Sequence, residues 1–94
     1  MRDYFVYILA TKSRRIYTGV TNDLEKRVYQ HRERLKGFTA KYKVLRLVYY
    51  EHCGNPYGAI SREKEIKGWS REKKLELVSR HNPAWDDLAA NWFK

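Results

Sequence analysis

Four side chains in the first third of the chain have the chemistry to act together on a phosphate ester. Tyr7 and Tyr17 bring two phenols, Arg27 a guanidinium and His31 an imidazole. Phenols and imidazoles accept or relay protons, and a guanidinium clamps phosphoryl oxygens through paired hydrogen bonds. Gly19 stands two residues beyond Tyr17. A glycine inside a strand marks either the close approach of a ligand or backbone, or a bulge. Each residue also has an ordinary reading. The chain holds eight tyrosines, most arginines of a basic protein face water, and a lone histidine at a helix edge commonly packs or hydrogen-bonds.

A fifth group lies further along. Ala59, Glu63 and Ile66 occupy i, i+4 and i+7, with Ile60 three before Glu63. A carboxylate thus interrupts the core-facing stripe of a helix. A charge in that position must be paired or must hold a cation. One or two protein carboxylates suffice for magnesium, which keeps waters and substrate phosphate as its other ligands. The competing reading is an internal ion pair, with Arg27 as a candidate partner, or a place at the rim of the stripe. From Ser61 to Arg80 lysines and arginines alternate with glutamates. That pattern fits a solvated face with charge pairs, although Lys67, Arg71 and Lys74 could follow a phosphate backbone. Ser70 and Ser79 have no base at recognisable spacing, and no glycine-rich phosphate loop is present.

These groups need elements to position them. Tyr4–Ala10 is an apolar run rich in aromatic and branched residues, which predicts a central strand buried on both faces. Thr11–Arg15 is turn-like, and Ile16–Val20 predicts a second strand, so the two form a hairpin. With an odd loop, Tyr7 and Tyr17 share a face diagonally and Gly19 sits opposite Tyr7. Asn22, with Glu25 three residues on, predicts a helix start. The helix runs to about Leu35 and stops at Gly37. Its stripe is Leu24, Val28 and Leu35, and Arg27 and His31, four apart, share one edge of it. Phe38–Tyr42 is a connection and Val44–Tyr50 a third strand. Asn55-Pro56 opens a helix that reaches roughly Trp69, and Ser70 caps another carrying Leu75, Leu77 and Val78. Asn82-Pro83 repeats the cap-and-proline signal, and Trp85, Leu88 and Trp92 then fall at helical spacing. The tryptophans read as packing of this last segment rather than as base-stacking platforms. The whole predicts one α+β domain over residues 1–94, a small three-stranded antiparallel sheet flanked by helices.

Composition narrows the partners. Twenty Lys and Arg against eleven Asp and Glu leave a formal charge of +9 in 94 residues, which favours polyanions. Much of the excess precedes His81, and Asp86 and Asp87 oppose Lys94 after it. Hydrophobic residues make up 43%, enough to fill a core, so disorder is excluded. Cys53 is the single cysteine, which excludes an internal disulfide and a cysteine-based zinc site. No apolar run approaches spanning length, and strand-like sequence begins almost at once, without a leader. Cytoplasm is the expected location, with no membrane partner.

The segment Tyr4–His31 resembles the GIY-YIG nuclease superfamily. Its first signature triplet corresponds to Phe5-Val6-Tyr7 and its second to Tyr17-Thr18-Gly19, with Arg27 and His31 following. Ala59–Lys67 is similar to the helix that supplies the family's metal-binding glutamate, here Glu63. Asn82–Leu88 is similar to the ending of small stand-alone bacterial members. The first triplet keeps only its tyrosine, and Thr18 replaces isoleucine in the second.

The resemblance implies metal-dependent hydrolysis of DNA phosphodiester bonds, structure-selective or weakly specific, in a setting such as repair or recombination. Glu63 would hold one Mg2+ or Mn2+. Arg27 would stabilise charge on the phosphoryl oxygens, Tyr17 would help deprotonate the attacking water, and Tyr7 would orient water or phosphate. His31 would relay a proton or touch phosphate. Gly19, Lys67, Arg71 and Lys74 would contact nucleic acid, with RNA left open as the alternative. Asn82 is either a supporting residue or a cap. A protein partner or a second copy of the chain would supply target choice. Two other readings stand beside the enzyme: a nucleic-acid-binding module of the same fold with little cleavage, and an interaction subunit docking through Trp85 and Trp92.

Overall fold

The computed structural model describes residues 3–35 and 46–93. Its elements run β1 (Tyr4–Ala10), β2 (Ile16–Thr21), α1 (Leu24–Leu35), β3 (Arg46–Cys53), α2 (Pro56–Lys67) and α3 (Arg71–His81). The antiparallel sheet has the order β2-β1-β3, so β1 is central and β2 and β3 are edges. The expected α+β architecture is present. Successive residues of β1 face opposite sides, and this divides the core in two. Val6, Ile8 and Ala10 pack with Ala59 and Ile66 of α2, Val78 of α3, and Trp85. Tyr7 and Leu9 pack on the other side with Leu24 and Val28 of α1, and with Leu47 and Ala89. The continuous apolar run of β1 is thereby explained, since both of its faces are covered.

Local signals account for most boundaries. Asn55 accepts a hydrogen bond from the Gly58 N–H at 2.7 Å and Pro56 begins α2, and Ser70 accepts from the Lys73 N–H at 3.2 Å to open α3. Both caps satisfy amides that have no partner within their helices. The start of α1 differs from expectation by one residue. Asp23, not Asn22, is the cap, accepting from the Lys26 N–H at 3.1 Å, while its own N–H is held by the Thr21 hydroxyl. β3 extends beyond the expected Tyr50 to Cys53, paired with Tyr4. Leu9 pairs with Leu47 but Ile8 with Tyr49, so the register slips there and Val48 and Tyr49 both face the α2 side. The expected stop at Gly37, the connection Phe38–Tyr42 and the start of the third strand at Val44 lie outside the described residues.

The expected last helix does not form. Residues 82–93 are turns laid against the start of β3. Tertiary hydrogen bonds outcompete helical ones here: Leu88 N–H donates to the Leu47 carbonyl at 2.8 Å, and the Asp87 carboxylate accepts from the Leu47 N–H at 3.1 Å. Trp85 takes a left-handed φ of 55°, which no helix permits. Its indole is nonetheless buried and donates to Ser79 at 2.9 Å. Packing of this segment onto the body is therefore correct, and only the helical spacing misleads. Asn82 ends α3 instead of starting a helix. Its amide donates to the Val48 and Asp86 carbonyls at 3.0 and 2.9 Å and accepts from the Asp86 N–H at 3.2 Å.

Candidate active site

The hairpin register brings the first group of site residues together. Tyr7 pairs with Gly19 and Leu9 with Tyr17, so the two phenols lie diagonally on one face with ring centroids 6.3 Å apart. α1 crosses that face and carries Arg27 and His31. Arg27 Nε donates to the Tyr7 hydroxyl at 3.4 Å, and His31 Nε2 lies 3.1 Å from the same oxygen. The His31 ring also meets Tyr17 edge-on at 5.1 Å. One phenol oxygen is thus the hub of a guanidinium, an imidazole and a neighbouring phenol. Arg27 feels both tyrosines as hydrogen-bonding partners, which raises its affinity for its proton.

The two phenols have different surroundings. Tyr7 is fully buried and Tyr17 is 45% exposed. Burial pushes the Tyr7 hydroxyl above its ordinary range, and the hydrogen bond from Arg27 opposes this without cancelling it. Tyr7 is therefore held neutral, suited to orient and donate, whereas Tyr17 is open to water and ligand.

Gly19 is buried beneath this hub. A Cβ built on it would stand 2.5 Å from the Tyr7 hydroxyl and 2.6 Å from Cζ. The group that approaches this glycine closely is the Tyr7 ring, and the β1–β2 register is regular there. The bulge is thus excluded, and so is a ligand lying directly on the Gly19 face that Tyr7 fills.

Glu63 is placed differently. It sits on α2, in the layer that packs against the opposite face of β1 and along the edge strand β2. Its side chain is 16% exposed, and Oε2 pairs with Lys67 Nζ at 3.2 Å. The alternative pairing with Arg27 does not form. Tyr7, Tyr17, Arg27 and His31 are joined by hydrogen bonds and ring contacts, and among the described residues Glu63 takes part in none of them. Lys67 is bound to Glu63, while Arg71 donates to the Arg14 carbonyl at 2.8 Å and lines a cleft with Arg15, Ile16 and Lys74. Asn82 gives its amide to the C-terminal turn, as described above.

Two sets of residues escaped the reading of the sequence. Asn22, Lys26 and Gln30 line a cleft of about 330 Å3 with Arg27. Lys26 and Gln30, four apart on α1, each precede Arg27 and His31 by one residue, which was the available signal. The second is an ion-pair network, Tyr49, Glu51 and Arg62, on the α2 side of the sheet. Nothing in their spacing announces it, because it spans β3 and α2.

The GIY-YIG catalytic-domain profile matches residues 3–76. The chain belongs to the GIY-YIG family. It is 41% identical over 83 residues to a UPF0213 protein of Staphylococcus saprophyticus, covering 84% of this chain and 98% of that one. It is 44% identical over 79 residues to a UPF0213 protein of Clostridium perfringens, covering 80% and 82%. The solution NMR structure of the UPF0213 protein of Bacillus halodurans superposes with a TM-score of 0.61 at 32% identity, covering 95% of this chain and 97% of that one. The GIY-YIG fold expected from Tyr4–His31 is therefore present, and the family is one of nucleases acting on DNA. No described helix is long and apolar enough to cross a membrane.

GIY-YIG nucleases generally use a divalent metal, and the donor set can be tested against one. No group of three or more His, Cys, Asp or Glu converges among the described residues. A cation here would have Glu63 as its protein donor, with one carboxylate oxygen on Lys67 and the other without a protein partner among the described residues. A hard cation that keeps most of its waters fits such a single-carboxylate site.

Proposed function

We propose that this GIY-YIG chain is a divalent-metal-dependent endonuclease that hydrolyses DNA phosphodiester bonds, choosing its targets by structure or weakly by sequence. Repair or recombination is the setting that suits such an activity. The supporting observation is Arg27. Among the described residues this cation has no carboxylate partner, and it stands against two phenols and a cleft. A guanidinium so placed offers its remaining donors to phosphoryl oxygens and stabilises charge that builds there during hydrolysis.

In this reading Tyr17, the exposed phenol, takes the proton of the attacking water. Phenols ordinarily titrate near pH 10 and are weak bases at neutrality. The proton that Tyr17 accepts must therefore move on at once, and the His31 ring stands 5.1 Å from the Tyr17 ring to receive it. Tyr7 stays neutral and orients Arg27 and His31, and His31 passes the proton on. Glu63 would hold the Mg2+ or Mn2+, which supplies Lewis-acid polarisation of the phosphate when bound. Lys67, Arg71 and Lys74 supply phosphate contacts.

One observation favours a second reading, a DNA-binding module with little cleavage: Glu63 is tied to Lys67, and among the described residues it makes no hydrogen bond or ion pair with the phenol hub. Labelled single-stranded, duplex and branched DNA, incubated with Mg2+, Mn2+ or chelator, separates the two. Cutting that requires metal and disappears in Glu63→Gln and Arg27→Ala supports the nuclease. Binding without cutting, or trace nicking equal in wild type and Glu63→Gln, establishes the binding module instead.

A further inference from the structure

We infer that the nucleic acid runs past the exposed Tyr17 of β2, between two cationic clefts at the two ends of that strand. Arg15 and Lys74 then hold backbone phosphates on one side of the scissile position and Lys26 on the other. The inference rests on the nucleic-acid reading above and adds the path and the residues that define it.

β2 is an edge strand; α2 packs along it and Thr18 and Gly19 are buried, which leaves Tyr17 as its exposed residue. At its beginning, the hairpin turn and α3 enclose a cleft of about 370 Å3 lined by Arg15, Ile16, Arg71 and Lys74. No carboxylate lines it. None of its three cations has an ion pair among the described residues, although six acidic side chains elsewhere, from Asp3 to Asp87, are paired. The notch is also held in shape. Arg14 adopts a left-handed φ of 64°, its guanidinium lies 4.5 Å from the Trp85 ring centre, and its carbonyl receives Arg71 Nη2. Three like charges around an open notch, one of them anchored through Arg71, raise the local potential for an anion.

At the far end of β2 lies the cleft of Asn22, Lys26, Arg27 and Gln30. Asp23 also lines it, but its carboxylate is engaged in capping α1 through the Lys26 N–H. Lys26 itself has no ion pair among the described residues. Between the two clefts stands Tyr17, 45% exposed. From Arg15 to Thr21 an extended strand covers about 20 Å. At a rise of about 3.4 Å per base pair along the duplex axis, that is a length of roughly six base pairs. A phosphate at Tyr17 and Arg27 would then have backbone neighbours at each end within reach of a cation.

The test is equilibrium binding of a fluorescent DNA duplex in chelator, followed by anisotropy over a salt series. Wild type should show a steep loss of affinity with salt. The double variant Arg15→Gln/Lys74→Gln should lower the slope of log Kobs against log salt by about 1.8, and Lys26→Gln by about 0.9. Arg80→Gln, an equal charge change at an exposed residue paired with Glu76, should move the slope by less than about 0.3. Circular dichroism checks that each variant is folded. A double variant that is folded and keeps the wild-type slope overturns the β2 path while leaving the nuclease reading intact. A flat salt response of the wild type overturns both.

Discussion

Two arginine–tyrosine arrangements sit on opposite faces of the same sheet, and they are built to different ends. On the α2 side, Arg62 donates to both oxygens of Glu51 at 2.9 to 3.1 Å, pairs with Glu65, and lies 5.1 Å from the Trp69 ring centre. Tyr49 donates to the same Glu51 carboxylate. Burial would raise Glu51, but Arg62 and Tyr49 hold it below the usual carboxylate range. On the α1 side, Arg27 meets Tyr7 and Tyr17 with no carboxylate among the described residues. The first cation is neutralised within the fold and ties α2 to β3. The second carries its charge without a carboxylate to neutralise it among the described residues. The difference distinguishes a structural ion pair from a candidate catalytic one more clearly than burial does, because both arginines are partly exposed.

Substitution of the two arginines should separate these roles most widely. Arg27→Ala is expected to lower cleavage by about 100- to 1000-fold while changing unfolding free energy by less than about 1 kcal/mol. Arg62→Ala should do the reverse, costing about 2–3 kcal/mol by leaving Glu51 without its partner, with activity per folded molecule within a few-fold of wild type. Urea melts and single-turnover cleavage measure both, and equal destabilisation by the two changes would erase the distinction.

Gly19→Ala sharpens it from beneath the hub. The added methyl must displace the buried Tyr7 ring, so a stability loss of about 1–3 kcal/mol and a loss of cleavage should appear together. Unchanged tyrosine spectra and activity in the Gly19→Ala variant would mean the ring has room to move.

pH tests the other face. Glu51 is depressed in the folded state, so its contribution is present above about pH 4.3, the ordinary unfolded value, and is lost as pH falls through the folded value. Wild type should therefore show a lower urea midpoint on acidification below about pH 4. Glu51→Gln should be less stable at neutral pH and flatter over that interval. A small expected effect is that of Tyr7→Phe on stability, about 1 kcal/mol from the lost hydroxyl bonds. Its cleavage defect should resemble that of Tyr17→Phe in size but leave the affinity for DNA unchanged.

Much of the site was legible because its positioning is local. The β1–β2 hairpin is short, so strand alternation alone places Tyr7, Gly19 and Tyr17 on one face. The four-residue spacing of Arg27 and His31 then follows from helix geometry. What kind of close approach Gly19 serves was not legible, since the group above it comes from the neighbouring strand. Glu63 was recognisable as a misfit in an apolar stripe, yet its partner, Lys67, was one of several cations within a helical turn. The last segment misled for a related reason. Asn82, Trp85, Leu88 and Trp92 carry helical spacing, but Leu47 of β3 offers backbone partners that no local pattern reveals.

By itself the chain determines which groups exist, which elements form and which residues share a strand or helix face, since these depend on contacts a few residues apart. The pairing of Arg62 with Glu51 rather than Arg27 with Glu63 was decided only by tertiary structure. So were the fall of Tyr7 into the core with Tyr17 left in solvent, and the opening of two cationic clefts along one edge. Each depends on which distant surfaces meet when the sheet is closed between its helices. Burial and charge compensation are properties of that meeting, not of any segment alone.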